Sequence, residues 1–298
     1  MTQRIGIDLG GTKIDCALLS EAGEVQHSMR VETPQGYDAI VREIAAQAWA
    51  AQQVAGGKAS IGIGSPGSQS PLTGLWRNSN IVACNGKPFA ADLAAAIGQP
   101  VKLENDANCF ALSEALDGAG KGSGTVAFFT VGTALGGGLV INGRLHVGAN
   151  AEAAEFGHTG LPWPTDGEWP PLPCFCGKRG CAEQYVSGTG LARDYKVATG
   201  HALPGKEIVK RARFGETEAK AALARLQDRL ARVAANLVAV IDPDVFVIGG
   251  GLSTLPELVE ELPPLIAHYS FSGSAQVKVL RAAHGETSGV LGAARLWD

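Results

Sequence analysis

Two apolar segments constrain this chain more than anything else in it. Residues 5–19, IGIDLGGTKIDCALL, and residues 126–141, VAFFTVGTALGGGLVI, each run as a strand into a glycine-bearing turn and return as a second strand. The second segment reads as two buried strands joined by a tight turn, and the alternation of strands and helices along the chain implies a parallel α/β sheet. The similarity of the two segments points to internal duplication. The expected architecture is therefore two similar lobes with a cleft. Forty of the 298 residues are glycine, and they concentrate in such apolar stretches and not in a linker. That placement lets backbone approach a ligand closely.

Periodicity fills in the rest. Strands at 4–9, 14–19 and 24–33 form two antiparallel hairpins, followed by a helix at 38–53 and a buried strand at 60–64. A helix at 90–97, a strand at 101–104 and a helix at 107–116 complete a first α/β unit. Strands at 125–130, 136–141 and 144–147 open a second unit, which an irregular Pro- and Cys-rich insertion interrupts. Leu223, Leu226, Leu230, Val233, Leu237 and Ile241 recur at steps of three and four, which predicts an amphipathic helix over 218–241 with one core face. A strand at 245–248, a helix at 256–268, a strand at 277–280 and a helix at 288–297 finish the chain.

Composition excludes several function classes. With 25 Lys and Arg against 29 Asp and Glu, and no basic run, the electrostatic footprint of a nucleic-acid or anionic-membrane binder is missing. Residues 122–143 carry no charge and are long enough to span a bilayer. Seven of those 22 residues are glycine and five more are Ser, Thr or Asn, which reads as two strands and a turn. The N-terminus lacks the regions of a signal peptide, so a cytoplasmic location is expected.

In DLGGTK a strand ends at Asp8, Gly10 and Gly11 strip side chains from the turn, and Thr12 and Lys13 supply a hydroxyl and a cation. This suits phosphate oxygens, with Asp8 able to steer Mg²⁺, although a plain tight hairpin would use the same glycines. GAGKGSG at 118–124 lacks the spacing of a P-loop, and GTALGGG at 132–138 opens no helix, so a second phosphate-facing hairpin is its better use. The triple glycine 249–251 follows a strand and precedes a helix, where a planar ring or close packing would explain it equally. In ENDAN, Asp106 stands at a strand's carboxyl end, as a general base or as a helix N-cap.

EFGH at 155–158 and CFCGKRGC at 174–181 together supply three thiols and an imidazole, a Cys₃His set that closes tetrahedrally around Zn²⁺. With all four positions filled by protein, the metal is structural. Glu155 and Glu183 flank the ligands, as sugar-hydroxyl contacts or as solvated surface acids. Cys16, Cys84 and Cys109 are scattered in apolar surroundings and read as small buried hydrophobes.

DLGGTK, ENDAN, EFGH, CxCGxxGC and the triple-glycine turn, in this order, make nearly the whole chain resemble the ROK family of sugar kinases and repressors, which have the two-lobed actin-like ATPase (ribonuclease H-like) α/β fold. The tracts RNSNIVACNGKPF, PCFCGKRGCAEQYVSGTG and HGETSGVLGAARLW are similar to the bacterial fructokinase, mannokinase-like branch. The resemblance implies lobes at 1–117 joined by 286–298, and at 118–285, with a zinc-bearing insertion around 155–185. It implies that Gly6, Asp8, Gly10, Gly11, Thr12 and Lys13, with Gly132, Thr133, Gly136 and Gly137, cradle the phosphates of Mg·ATP, and that Gly250 and Gly251 border the adenosine. Asp106 becomes the general base. Asn80, Asn105, Asp106, Glu155, His158 and Glu183 contact sugar, and His158, Cys174, Cys176 and Cys181 hold structural Zn²⁺. Relatives often carry a GTG-type second phosphate loop where this chain has Gly132-Thr133-Ala134-Leu135. Repressors place a helix-turn-helix before DLGGT, and seven residues before Asp8 leave no room for one. The implied reaction is ATP-dependent phosphorylation of D-fructose to fructose 6-phosphate by a homodimer. A glucokinase, an N-acetylhexosamine kinase or a non-catalytic sugar sensor is the alternative.

Overall fold

The computed structural model describes residues 3–298. Strand β1 (Arg4–Leu9) pairs antiparallel with β2 (Lys13–Leu19), and β2 with β3 (Val25–Glu32), the two hairpins expected from the sequence. Then follow α1 (Tyr37–Ala55), β4 (Ser60–Ser65), a short hairpin of β5 (Ser68–Gln69) and β6 (Trp76–Arg77), α2 (Phe89–Ile97), β7 (Val101–Asn105) and α3 (Asp106–Leu116). Strands β4 and β7 join parallel to β1, giving the sheet order β3-β2-β1-β4-β7. After β8 (Thr125–Val131), β9 (Leu135–Ile141) and β10 (Arg144–Leu145), the irregular insertion leads to α4 (Gly188–Thr199), α5 (Gly205–Arg213) and α6 (Thr217–Ile241). The chain ends with β11 (Val245–Gly249), α7 (Pro256–Glu260), α8 (Leu262–Tyr269), β12 (Lys278–Arg281) and α9 (Ser288–Ala294).

Two compact units result. The first comprises the chain up to Gly118, Gly143–Ala153 and Glu286–Asp298; the second comprises Ala119–Asn142 and Ala154–Gly285. In the second, β8 and β9 form an antiparallel hairpin, while β11 and β12 add parallel in the order β9-β8-β11-β12. This is the arrangement of β2-β1-β4-β7, so the duplication seen in two glycine hairpins extends to the parallel strands beside them.

Each unit buries its own core. In the first, Ile5, Ile7, Ile61 and Ile63 meet Ile40, Ile44 and Ala48 of α1. Val290, Leu291 and Ala294 of α9 pack with Ala17 and Leu19 of β2. Gly6 is what admits α9: a Cβ there would lie 1.9 Å from the Val290 carbonyl oxygen. In the second unit Phe129 stacks on Phe246 with centroids 5.6 Å apart, and α6 supplies Leu226, Leu230, Val233 and Leu237. Leu223 and Ile241 of the predicted stripe lie partly buried at its ends.

Two features depart from the sequence reading. The helix expected at 256–268 is two helices, because Pro263 and Pro264 are tolerated only in a first turn and force a new start at Leu262. The core-facing helix α6 also buries two charges. Arg229 and Arg232 both bond Glu168 of the insertion, at 2.7 Å from Arg229 Nε to Oε1 and 2.6 Å from Arg232 Nη2 to Oε1. Burial opposes ionisation of Glu168, yet the bonds from Arg232 and Arg229 prevail and bring its pKa down to about 2. Ionised Glu168 therefore stabilises the fold above its ordinary pKa of 4.5, and this contribution is lost as pH falls from there toward 2. Glu168→Ala leaves two buried guanidinium groups without their shared partner, and urea unfolding at pH 7 should show a loss of about 3–5 kcal/mol.

Candidate active site and metal centre

The end of β7 turns directly into α3, and the turn is made of the ENDAN residues. Asn105 is the N-cap: its Oδ1 accepts from the Asn108 backbone N–H at 3.2 Å, and its Nδ2 donates to the Gly67 carbonyl at 3.0 Å. The capping role thus falls to Asn105. Asp106, at the first helical position, accepts from the Ala107 N–H at 2.8 Å and keeps its carboxyl for other work. Burial raises its pKa, opposed by that backbone bond.

Asp8 lies at the end of β1, directly opposite Asp15 in the antiparallel register. Burial, the Asp106 charge and the Asp15 charge, in that order, push its pKa up to about 7, with Lys13 opposing. Oxygen donors that repel one another in this way fit a hard divalent cation, so Asp8 and Asp106 are the residues that could face Mg²⁺. Without metal the ionised Asp8 destabilises the fold above pH 7, and stability is regained as pH falls from 7 toward its ordinary value of 3.8. In metal-free protein at pH 8, Asp8→Asn should therefore raise stability by about 2–4 kcal/mol, an advantage that shrinks steadily toward pH 4 in thermal melts.

The glycine turn beside Asp8 is held by its backbone. Gly10 N–H donates to the Lys13 carbonyl at 2.9 Å, and the Thr33 hydroxyl donates to the Gly10 carbonyl at 2.7 Å. Gly11 and Thr12 are exposed, and Gly11 has open space around it. Lys13 reaches Glu286 at 3.3 Å and Asp15 at 3.6 Å. Gly6, counted with the phosphate-binding residues from the resemblance, is buried in β1 and is explained by the packing of α9. Asn80 is exposed on a loop that Asn85 shapes by accepting from Ser79 N–H and donating to the Ser79 carbonyl, each at 2.9 Å. Asn85 carried no signal in the sequence.

In the second unit the β8–β9 turn docks on the start of α4. Gly188 N–H donates to the Gly132 carbonyl at 2.7 Å, and the Thr189 hydroxyl to the Thr133 carbonyl at 2.9 Å. Thr133 and Ala134 are exposed while Leu135 is buried at the head of β9, so the departure from GTG leaves only Ala134 on the open turn. Gly136 and Gly137 lie within β9, and a Cβ on Gly137 would stand 2.4 Å from the Ala154 carbonyl oxygen. Packing therefore accounts for Gly137. Gly250, at φ +83° and against the Val131 backbone, must be glycine for both reasons, whereas Gly251 faces open space. Beyond this turn, α5, α6 and α7 enclose a cavity of about 370 Å³ lined by Leu223, Leu255, Leu258, Arg213, Lys220 and Gln227 among others. The Gln227 side chain is buried there and makes no hydrogen bond among the described residues.

The insertion brings together the metal set proposed from spacing. The ligand atoms of His158, Cys174, Cys176 and Cys181 lie within 4.8 Å of one another, with Cys174 Sγ 3.6 Å from His158 Nδ1 and Cys176 Sγ 3.6 Å from Cys181 Sγ. Tetrahedral zinc, with Zn–S of about 2.3 Å and Zn–N of about 2.0–2.1 Å, asks for S···N near about 3.6 Å and S···S near about 3.8 Å. The donors fit. A knuckle with Gly177 at φ +85° carries Cys174 and Cys176, and a bridge between Gly160 and Cys181 ties the fourth ligand to the segment after His158. Glu183, two residues beyond Cys181, is buried, while Glu155 is exposed. Cys16, Cys84 and Cys109 are buried as expected, and burial raises each thiol, the first to about 12 and the second to about 11.

Among the described residues no helix is long and apolar enough to cross a membrane. In sequence the chain is similar to an N-acetyl-D-glucosamine kinase of Photobacterium profundum, 40% identical over 296 residues and 98% of each protein, and to one of Escherichia coli O157:H7, 38% identical with 98% of each covered. Its fold matches a ROK hexokinase of Thermus thermophilus at a TM-score of 0.86 and 32% identity, covering 98% of this chain and 96% of that one. A ROK family glucokinase of Streptomyces griseus, solved with glucose and AMPPNP, matches at 0.76 and 31%, covering 99% and 98%. The two-sheet α/β architecture is thus the actin-like ATPase fold. The ROK family model itself matches residues 4–298, and the chain belongs to the ROK family.

Proposed function

We propose that this ROK-family sugar kinase transfers the γ-phosphoryl group of ATP to the primary hydroxyl of N-acetyl-D-glucosamine, with Asp106 as general base. The sugar follows the full-length relatives at 38–40% identity, which favour the N-acetylhexosamine alternative over D-fructose. The observation that carries the chemistry is the β7–α3 junction, where Asn105 caps the helix and Asp106 holds a carboxyl of raised pKa near the Asp8 charge. A carboxylate of raised pKa is a better proton acceptor near neutral pH than an ordinary aspartate.

In this reading Asp106 takes the proton from the sugar hydroxyl as it attacks, and Asp8 holds Mg²⁺, which would neutralise charge on the transferring phosphoryl group. The exposed backbone of Gly11 and Thr12 offers N–H groups to phosphate oxygens, as does that of Thr133, while the Gly10 and Gly132 N–H groups are spent holding the two turns through the Lys13 and Ala134 carbonyls. The adenosine lies toward Gly250 and Gly251, and the Gln227 amide has the donor and acceptor a nucleobase edge requires. Asn80, Asn105, Glu155, His158 and Glu183 are the sugar contacts; His158 gives Nδ1 to zinc and keeps Nε2 for a hydroxyl.

A coupled ADP-release assay with Mg·ATP against N-acetylglucosamine, N-acetylmannosamine, glucose, mannose and fructose tests the substrate, compared by kcat/KM. The highest ratio should fall on N-acetylglucosamine. A higher ratio on fructose would restore the fructokinase reading, and ATP turnover with none of the five would overturn the hexose assignment.

A further inference from the structure

We propose that Glu104 is a positioning residue for the base, holding the strand-to-helix junction on which Asp106 stands through a clamp closed by Asn105 and Asn108. The inference rests on the assignment of Asp106 as base.

Glu104 is the penultimate residue of β7 and lies in parallel register with Gly64 of β4. One of its oxygens, Oε1, accepts from the Asn105 backbone N–H at 2.8 Å and from Asn108 Nδ2 at 3.0 Å. Asn108 in turn gives its backbone N–H to Asn105 Oδ1 at 3.2 Å. These three bonds close a ring through residues 104, 105 and 108, and Asp106 is inside the span it braces. The Asn105 Nδ2 bond to the Gly67 carbonyl extends the brace to the loop after β4.

Glu104 is not needed as a cap, since Asn105 does that, and it receives no bond from a cationic side chain among the described residues. What its side chain does is present one acceptor to two donors on either side of the base. Asn108 depends on it: the residue is buried, and its Oδ1 has no partner, so the Glu104 bond is the one that orients the side chain. Removing the acceptor leaves both ends of a buried amide unsatisfied, which drives Asn108 to reorient and frees the first turn of α3. A base displaced by about 1 Å loses about 10²-fold in rate without losing its chemistry.

Four variants and wild type, each assayed for kcat and for KM of ATP and sugar, test this. Glu104→Ala and Asn108→Asp, the second placing a carboxylate against Glu104, should each lower kcat about 10- to 100-fold with KM for ATP within about threefold. Glu104→Gln keeps a two-donor acceptor and should remain within about threefold of wild type. The double variant Glu104→Gln with Asn108→Asp restores a donor and acceptor pair and should regain most of what Asn108→Asp lost. Wild-type kcat in Glu104→Ala, or a Glu104→Gln as impaired as Glu104→Ala, would overturn the proposal. If Glu104→Ala does not fold, Glu104→Gln and the rescue of Asn108→Asp decide it by the same limits. Asp106→Asn measured alongside separates the two readings. An active Asp106→Asn removes the base, whereas an inactive one beside a fully active Glu104→Ala removes only the clamp.

Discussion

Asp106→Asn should lower kcat by about 10²- to 10⁴-fold, the usual worth of a general base, while sugar affinity stays within a few-fold of wild type. The substitution is nearly isosteric, and Asn can still accept the Ala107 N–H through Oδ1. The start of α3 should survive, because its cap is Asn105. Thermal stability should therefore be unchanged or slightly higher, since a buried carboxyl of raised pKa is no longer ionised in the folded protein. A pH series sharpens the test. The carboxylate is the active form, so wild-type kcat/KM falls as pH drops through the raised pKa, whereas the residual rate of the variant should lack that limb. A kcat near wild type in folded Asp106→Asn would remove Asp106 from the reaction.

The parts of this molecule that were legible in the sequence are those written in local pattern. Strand ends at Leu9, Leu19 and Ile141 and the long helix ending at Ile241 follow from apolar period alone, and the Cys₃His set from EFGH followed closely by CFCGKRGC and the chemistry of thiol and imidazole. ENDAN was legible as a strand end with acids, but not in its division of labour. Whether Asp106 or Asn105 caps α3 depends on which side chain reaches the Asn108 N–H, a matter of rotamer and not of residue type. Pairings between distant segments were invisible altogether. Nothing near Glu168 announces Arg229 and Arg232, 61 and 64 positions away, and the period-3.6 reading of α6 had no reason to put cations in its buried face. Glycine carries two meanings that a sequence does not separate: at Gly6 and Gly137 the missing side chain makes room for the protein's own backbone, and at Gly10 for the Lys13 carbonyl oxygen, 3.1 Å from where a Cβ would lie, while Gly11 and Gly251 face open space.

Loss of the metal should be the other large effect. Structural zinc contributes about 10–16 kcal/mol to the folding of small metal-dependent modules, far more than the hydrogen bonds of residues 155–185 could replace. That segment has little regular structure: three short 3₁₀ turns, isolated bridges and a knuckle join Glu155 to Tyr185. Cys176 is the informative position because it is the exposed ligand, so serine there removes a thiolate without opening a cavity in the core. Cys176→Ser should bind less than about one tenth of the zinc of wild type by elemental analysis, and the segment should become the first site of limited proteolysis. KM for the sugar should rise at least about tenfold, because His158 belongs both to the proposed ligand set and to the proposed sugar contacts and Glu183 stands two residues from Cys181, while KM for ATP should change little. The Glu168–Arg229–Arg232 cluster anchors the middle of the segment to α6 independently of the metal, so the second unit should stay folded and the variant soluble. Chelation of wild type should reproduce the variant. Full zinc stoichiometry in Cys176→Ser would remove that thiol from the ligand set, and unchanged sugar KM in zinc-free protein would separate the metal from the substrate it is proposed to help hold.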